Sequence, residues 1–133
     1  NGGVVMNTIE ETIKLAGFGR RKAMRKQIEM FKKELLEGEE LLGVAASSPN
    51  PTEQLYITNK RIIAHKIQGI FQNDRKEIPL SSVSSINMSA KGLGAKIEIV
   101  TSNNSAVVEN IPLHVAQEIK KLVDSLILQG QVN

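Results

Sequence analysis

From residue 41 to residue 110 the chain is cut into apolar segments of five to eight residues, each stopped by turn chemistry before it could sustain a helix. Short segments rich in Ile, Val, Leu, Ser and Thr, reversed at close intervals, are the mark of an antiparallel sheet or barrel. The interruptions are Ser47-Ser48-Pro49-Asn50-Pro51, Asn59-Lys60, Gln68-Gly69, Pro79-Leu80-Ser81, Lys91-Gly92-Leu93-Gly94 and Ser102-Asn103-Asn104-Ser105, all of residue types that favour reversals. Seven strands are expected, at about 41–47, 53–58, 61–67, 74–79, 83–89, 95–101 and 105–110. Ile97 and Ile99, alternating with Lys96 and Glu98, give the clearest one-sided strand.

Helical periodicity flanks this region on both sides. Asn7 with Glu10, or Thr8 with Glu11, fits a capping box, and Ile9, Ile13 and Ala16 share a stripe that Gly17 ends, so a short helix is expected at about 7–16. Beyond the Gly17-Phe18-Gly19 break, Met24, Ile28, Phe31 and Leu35 recur at spacings of four, three and four, which predicts a helix at about 20–37 closed by Gly38. Pro112 marks the start of a last helix, in which Val115, Ile119, Leu122 and Leu126, with Ala116, Val123 and Ile127, form a broad apolar face to about residue 128. Leu122 lies mid-stripe and is expected to be buried.

The resulting order is two helices, seven strands and one helix, an α+β arrangement. Seven short strands need a way to cover their edges, and one strongly amphipathic helix after the last strand can plug a bent, nearly closed barrel. With 133 residues and 41% hydrophobic content, the chain can bury roughly two thirds of its unfolded surface. It has no Cys and two His, which excludes disulfide scaffolds, thiol catalysis and thiolate metal sites and argues against zinc. Asn1, Gly2 and Gly3 read as an appended remnant or linker end, with Met6 as a natural start. The absence of a long apolar run and of a secretory pattern points to a soluble, cytoplasmic protein, with peripheral membrane contact as a variant.

A formal charge of +3 hides an asymmetry. Residues 20–33 hold seven basic side chains against Glu29 alone, a local +6, so the remainder carries −3. On a helical wheel Lys22, Lys26 and Lys33 oppose Ile28, while Arg25 and Lys32 lie nearer its flank. Arg21, Lys22, Arg25, Lys26, Lys32 and Lys33 are therefore the candidate patch for an anionic partner, and Met24, Ile28, Phe31 and Leu35 the candidate stripe for packing or assembly.

Four segments resemble the bacterial pleckstrin-homology-like family of the YokE type: Leu36-Glu37-Gly38-Glu39-Glu40-Leu41-Leu42, Leu55-Tyr56-Ile57-Thr58-Asn59-Lys60-Arg61-Ile62-Ile63, Ile78-Pro79-Leu80-Ser81-Ser82-Val83-Ser84-Ser85-Ile86, and the closing helix. The resemblance spans about residues 35–128. It implies a PH-like fold of seven strands in two near-orthogonal sheets capped by the C-terminal helix, at residues 38–129, preceded by a helical extension at 1–37. Its most specific turn has a local account: Asn59 is expected in a left-handed hairpin position, Thr58 bonds nearby, and Lys60 and Arg61 face water. Eukaryotic PH domains that grip phosphoinositides carry basic residues on their first strands and connecting loop. Here residues 47–52 have none, which argues against specific phosphoinositide binding.

Little in the chain points to catalysis. Ser48, His65 and Asp74 lack a nucleophile elbow, Gly92-Leu93-Gly94 is a hairpin rather than a dinucleotide loop, Glu39-Glu40 reads as a solvated junction, and His65 and His114 read as packing or surface residues. No cofactor or metal is expected. With three Phe and one Tyr the chain lacks the aromatic platform of a nucleic-acid binder. The expected function is a non-enzymatic binding or scaffold module that engages protein partners and self-associates. The alternative is a peripheral domain touching anionic lipid through the basic helix.

Overall fold

The computed structural model describes residues 7–67 and 73–132; the expected native start at Met6 and the Gln68-Gly69 turn lie outside the described residues. The elements are α1 (Thr8–Leu15), α2 (Arg21–Lys32), β1 (Leu41–Ala46), β2 (Glu53–Thr58), β3 (Arg61–Ile67), β4 (Asn73–Pro79), a 3-10 turn (Leu80–Ser82), β5 (Val83–Lys91), β6 (Gly94–Thr101), β7 (Ser105–Pro112) and α3 (Leu113–Val132). All pairings are antiparallel, in one sheet of order β1-β2-β3-β4 and a second of order β5-β6-β7. This is the α+β, seven-stranded, helix-capped arrangement that the resemblance implied.

The main core lies between the sheets and beneath α3. Leu55 and Ile57 of β2, Ile62 of β3, Ile97 and Ile99 of β6 and Val108 of β7 meet there, each almost wholly removed from water. Sheet register follows from the pleat: Leu55 faces Ala64 and Ile97 faces Val108 across neighbouring strands, so alternate residues reach the same face. On α3 the buried row is Val115, Ala116, Ile119 and Val123. Leu122 is only half-buried, on the flank of that row with Leu126 and Ile127, so its expected central place belongs to Ile119. Gly43 sits at a bulge in β1, where a Cβ would come within 2.8 Å of Leu122 Cδ2 and 3.1 Å of Ile119 Cδ1, so α3 approaches the strand as closely as glycine permits.

Two boundaries differ from the periodicity. The second helix stops at Lys32 rather than running to residue 37, because the backbone beyond it is recruited by tertiary partners: the Glu34 carbonyl accepts from Arg61 and the Leu36 N–H donates to the Glu39 carboxylate. Leu35 still packs half-buried beneath the chain there. At the other end Pro112 closes β7 opposite Gly94, and α3 starts one residue later and runs to Val132.

Candidate functional site

A second, smaller core lies on the opposite face of the four-stranded sheet. Met24, Ile28 and Phe31 of α2 are buried there against Val44, Ala46, Tyr56 and Ile63, with Ile13 and Ala16 from α1 and its C-cap. The Phe31 and Tyr56 rings lie 4.6 Å apart at 32°, a separation at which aromatic pairs attract. α1 is tied to the sheet by hydrogen bonds as well as packing. The Val44 N–H donates to Thr8 Oγ1 at 3.1 Å, and Thr12 Oγ1 donates to the Val44 carbonyl at 2.8 Å. Two helix hydroxyls thus satisfy backbone groups of the edge strand β1 that would otherwise invite another strand. Asn7, the N-cap, accepts from the Ile9 and Glu10 amides and selects the first of the two capping registers.

One end of this layer is polar and closed. The Glu39 side chain is 0% exposed, and its carboxylate accepts from Arg61 Nε (2.8 Å), Arg61 Nη2 (3.1 Å), Thr58 Oγ1 (2.7 Å) and the Leu36 N–H (2.9 Å). Burial alone would raise its pKa, but the Arg61 guanidinium, the Leu36 amide and the Thr58 hydroxyl outweigh it and hold the carboxyl at about 2. Two expectations are corrected here: Glu39 is not a solvated junction and Arg61 does not face water. Arg61 also pairs with Glu77 at 2.7 Å, and its guanidinium, like that of Arg75, stands 5.9 Å from the Phe31 ring centroid. Thr58 bonds locally as expected, accepting from the Lys60 and Arg61 amides. Asn59 does not use the left-handed region; instead its side chain accepts from the Glu40 N–H and donates to the Gly38 carbonyl. The most specific sequence motif is therefore a structural knot joining the β2–β3 hairpin to the α2–β1 connection.

A cleft of about 310 Å³ opens between α2 and the sheet, lined by Gln27, Phe31, Gln54, Tyr56, His65 and Arg75 among others. Its polar groups are turned toward one another. Tyr56 donates to Gln54 Oε1 at 2.8 Å, and Gln54 Nε2 donates to Gln27 Oε1 at 2.6 Å and the Pro51 carbonyl at 2.7 Å. Arg75 holds Glu34 at 2.6 Å, and that hydrogen bond lowers the Glu34 pKa. Burial pushes the Tyr56 hydroxyl upward, and burial followed by the Arg75 charge pulls His65 downward, so neither carries charge at neutral pH. The candidate triad is not assembled: Ser48 donates its hydroxyl to the Leu15 carbonyl, while His65 belongs to this cleft.

The sequence-predicted cations are all exposed on the outer side of α2. Arg25 pairs with Glu10 at 3.5 Å, Lys32 with Glu29 at 3.3 Å, and Arg21 Nε donates to the Ala16 carbonyl at 3.4 Å. Lys22, Lys26 and Lys33 enter no ion pair among the described residues. Missing from the sequence reading are Phe18 and Leu93, which stand fully in solvent at 104% and 102% relative exposure. Both were visible as apolar residues enclosed by glycines, a signal read only as a break and a turn. Among the described residues no helix is long and apolar enough to cross a membrane.

The model of the family described as "Bacterial PH domain" matches residues 35–125. Two solved structures are similar in fold. A DUF1696-family protein with a pleckstrin-homology domain from Shewanella loihica PV-4 is 13% identical, with 77% of this chain and 95% of that chain covered at a TM-score of 0.57. A pleckstrin homology domain from Shewanella amazonensis SB2B is 16% identical, with 77% and 86% covered at the same TM-score of 0.57. No curated protein matches the chain.

Proposed function

The chain belongs to the bacterial PH-domain family, and on that premise we propose that it is a non-catalytic binding module whose working surface is the cationic outer side of α2, presented to an acidic partner. The supporting observation is the division of labour on that helix. Met24, Ile28 and Phe31 are consumed in packing on the sheet, which fixes the helix, while Lys22, Lys26 and Lys33 project from it without neutralising partners among the described residues. A second copy of the chain would have to compete with the protein's own sheet for that apolar stripe, so the stripe holds the helix and the lysines meet the partner. The absence of basic residues between Ser47 and Thr52 separates this surface from a phosphoinositide clamp.

Each cation brought against an anionic surface contributes about 1 kcal/mol at low salt, so the patch alone supports weak binding, screened beyond about 8 Å at physiological ionic strength. The test is retention of the protein on immobilised polyglutamate and on phosphatidylcholine–phosphatidylserine vesicles. Replacing Lys22, Lys26 and Lys33 together by Glu is expected to abolish retention and leave the melting temperature unchanged, since the three side chains are exposed. Undiminished retention of the triple variant, or no retention of the parent on either probe, overturns the reading.

A further inference from the structure

The α1–α2 turn and the β5–β6 hairpin share a feature that folding does not require. Each sets one apolar residue between two glycines, as Gly17-Phe18-Gly19 and Gly92-Leu93-Gly94. The glycines have backbone reasons. Gly19 and Gly92 adopt φ of +84° and +64°, and a Cβ on Gly17 or Gly94 would stand 3.1 Å from the carbonyl oxygen of Pro49 or Ile111. The residues between them do not. Turn apices in water favour Asn, Asp, Ser or Gly, whereas Phe18 and Leu93 expose their whole side chains and gain nothing from the fold.

The two tips belong to the same end of the molecule. The Gly17 N–H donates to the Pro49 carbonyl at 2.9 Å, the Ser48 hydroxyl to the Leu15 carbonyl at 2.8 Å, and the Ser48 N–H to the Asn110 carbonyl at 3.1 Å. The α1–α2 turn is thereby fastened to the β1–β2 loop and, through it, to the end of β7. A cleft of about 600 Å³ there is bordered by Leu15, three residues before Phe18, and by Leu93 itself. Exposed Lys14, Arg20, Arg21 and Lys22 lie within four residues of Phe18 along the chain and form no ion pair among the described residues, while Glu10, Glu11 and Glu109 are each engaged with Arg25, His114 or Lys91.

From this juxtaposition we propose that the end carrying Phe18 and Leu93 docks on an anionic bilayer, the two side chains entering the interfacial layer while Lys14, Arg20, Arg21 and Lys22 meet lipid head groups. The proposal rests on the reading of α2 as an acidic-partner surface and names that partner. Two separate apolar points, of which Leu93 stands on the rim of an open cleft, offer no continuous patch for a protein to match, but a fluid interface needs no matching shape, and it rewards shallow apolar insertion beside positive charge.

The chain contains no Trp, so single substitutions give site-specific reporters. Emission from Phe18→Trp and from Leu93→Trp should shift to the blue on addition of phosphatidylcholine–phosphatidylserine vesicles. Emission from Leu36→Trp, which sits with the Glu39 knot at the other end of α2, should not. In sedimentation, the double variant Phe18→Ser with Leu93→Ser should lose about tenfold or more in vesicle affinity, the scale of two partly inserted apolar side chains, while its melting temperature and its retention on polyglutamate stay as in the parent. Vesicle binding that survives the double substitution, or a blue shift at Leu36→Trp equal to those at the tips, overturns the proposal. A parent that binds polyglutamate but not vesicles also overturns it and leaves the acidic-partner reading standing, with a protein as the partner. A parent that binds neither removes both.

Discussion

The two sheets solve the same problem in different ways. The three-stranded sheet is buried on one face and shows it in alternation: Ile97 and Ile99 are fully buried, while Lys96 between its neighbours faces water. The four-stranded sheet is buried on both faces over β1, β2 and the start of β3, with Leu55 and Ile57 turned to the main core and Tyr56 and Ile63 turned to α1 and α2, while its edge strand β4 leaves Asp74, Arg75, Lys76 and Glu77 exposed. Where both faces are covered, β2 and β3 accordingly read as near-continuous apolar runs, Leu55-Tyr56-Ile57 and Ile62-Ile63-Ala64. The inner core contains only aliphatic side chains, whereas the outer layer also buries Glu39, Gln54, Thr8, Thr12 and Thr58. A second covered face thus brings polar groups inside, and each must find a partner; no buried side-chain nitrogen or oxygen among the described residues lacks one.

This contrast breaks most sharply at the ion pair. Arg61→Ala would leave the Glu39 carboxylate buried without its counter-charge, and the expected loss is about 3–5 kcal/mol, read by urea denaturation. A loss below about 1 kcal/mol would mean that water reaches Glu39 and that the outer layer is not a true second core. Next comes Phe31→Ala, which empties the centre of the outer layer and removes the ring beneath two guanidinium groups. It should cost about 3 kcal/mol or somewhat more, and hydrogen exchange should quicken first in α1 and α2, with the amides of β5, β6 and β7 protected until global unfolding. Simultaneous exchange throughout would show the two cores to be one cooperative unit.

The smallest of the three effects is acid sensitivity. The Glu39 carboxyl is depressed from 4.5 to about 2 in the fold, so the unfolded chain takes up the proton more readily and stability is lost as pH falls from about 4.5 toward 2. The contribution at stake is at most about 3 kcal/mol, present in full above the unfolded value. Denaturation midpoints measured across that range should fall in the parent, and Glu39→Gln, already weakened at neutral pH, should show a flatter profile.

Several of these features were legible in advance. The spacing of Met24, Ile28, Phe31 and Leu35 identifies a helix with one apolar stripe, because a period of 3.6 residues is a local property. The boundaries of β2 and β3 followed from the Asn59-Lys60 reversal, and Thr58 was correctly seen to bond nearby. The burial of Glu39 was not legible, since the group that makes it tolerable, Arg61, lies 22 residues away and on another element. A like distance hid the early end of α2, where the Glu34 carbonyl accepts from Arg61, 27 residues further along the chain, rather than continuing the helix. On α3 the row of apolar residues was broad enough to hide its centre, and only the position of β1, with Gly43 against Ile119 and Leu122, decided which side chains were sealed.

By itself, then, the sequence determined where the chain reverses, which elements are helices and strands, and which side of each is apolar. These depend on neighbours within one or two turns, and turn residues, caps and periodicity act at that range. Only the tertiary structure decided which apolar side meets which: that α2 lies on the outer face of the four-stranded sheet, that Thr8 and Thr12 close the edge of β1, and that the turn carrying Phe18 is fastened to the β1–β2 loop while Phe18 and Leu93 both stay in solvent. Those outcomes compare contacts between segments tens of residues apart, and the free energy of such a contact exists only once both faces have been brought together.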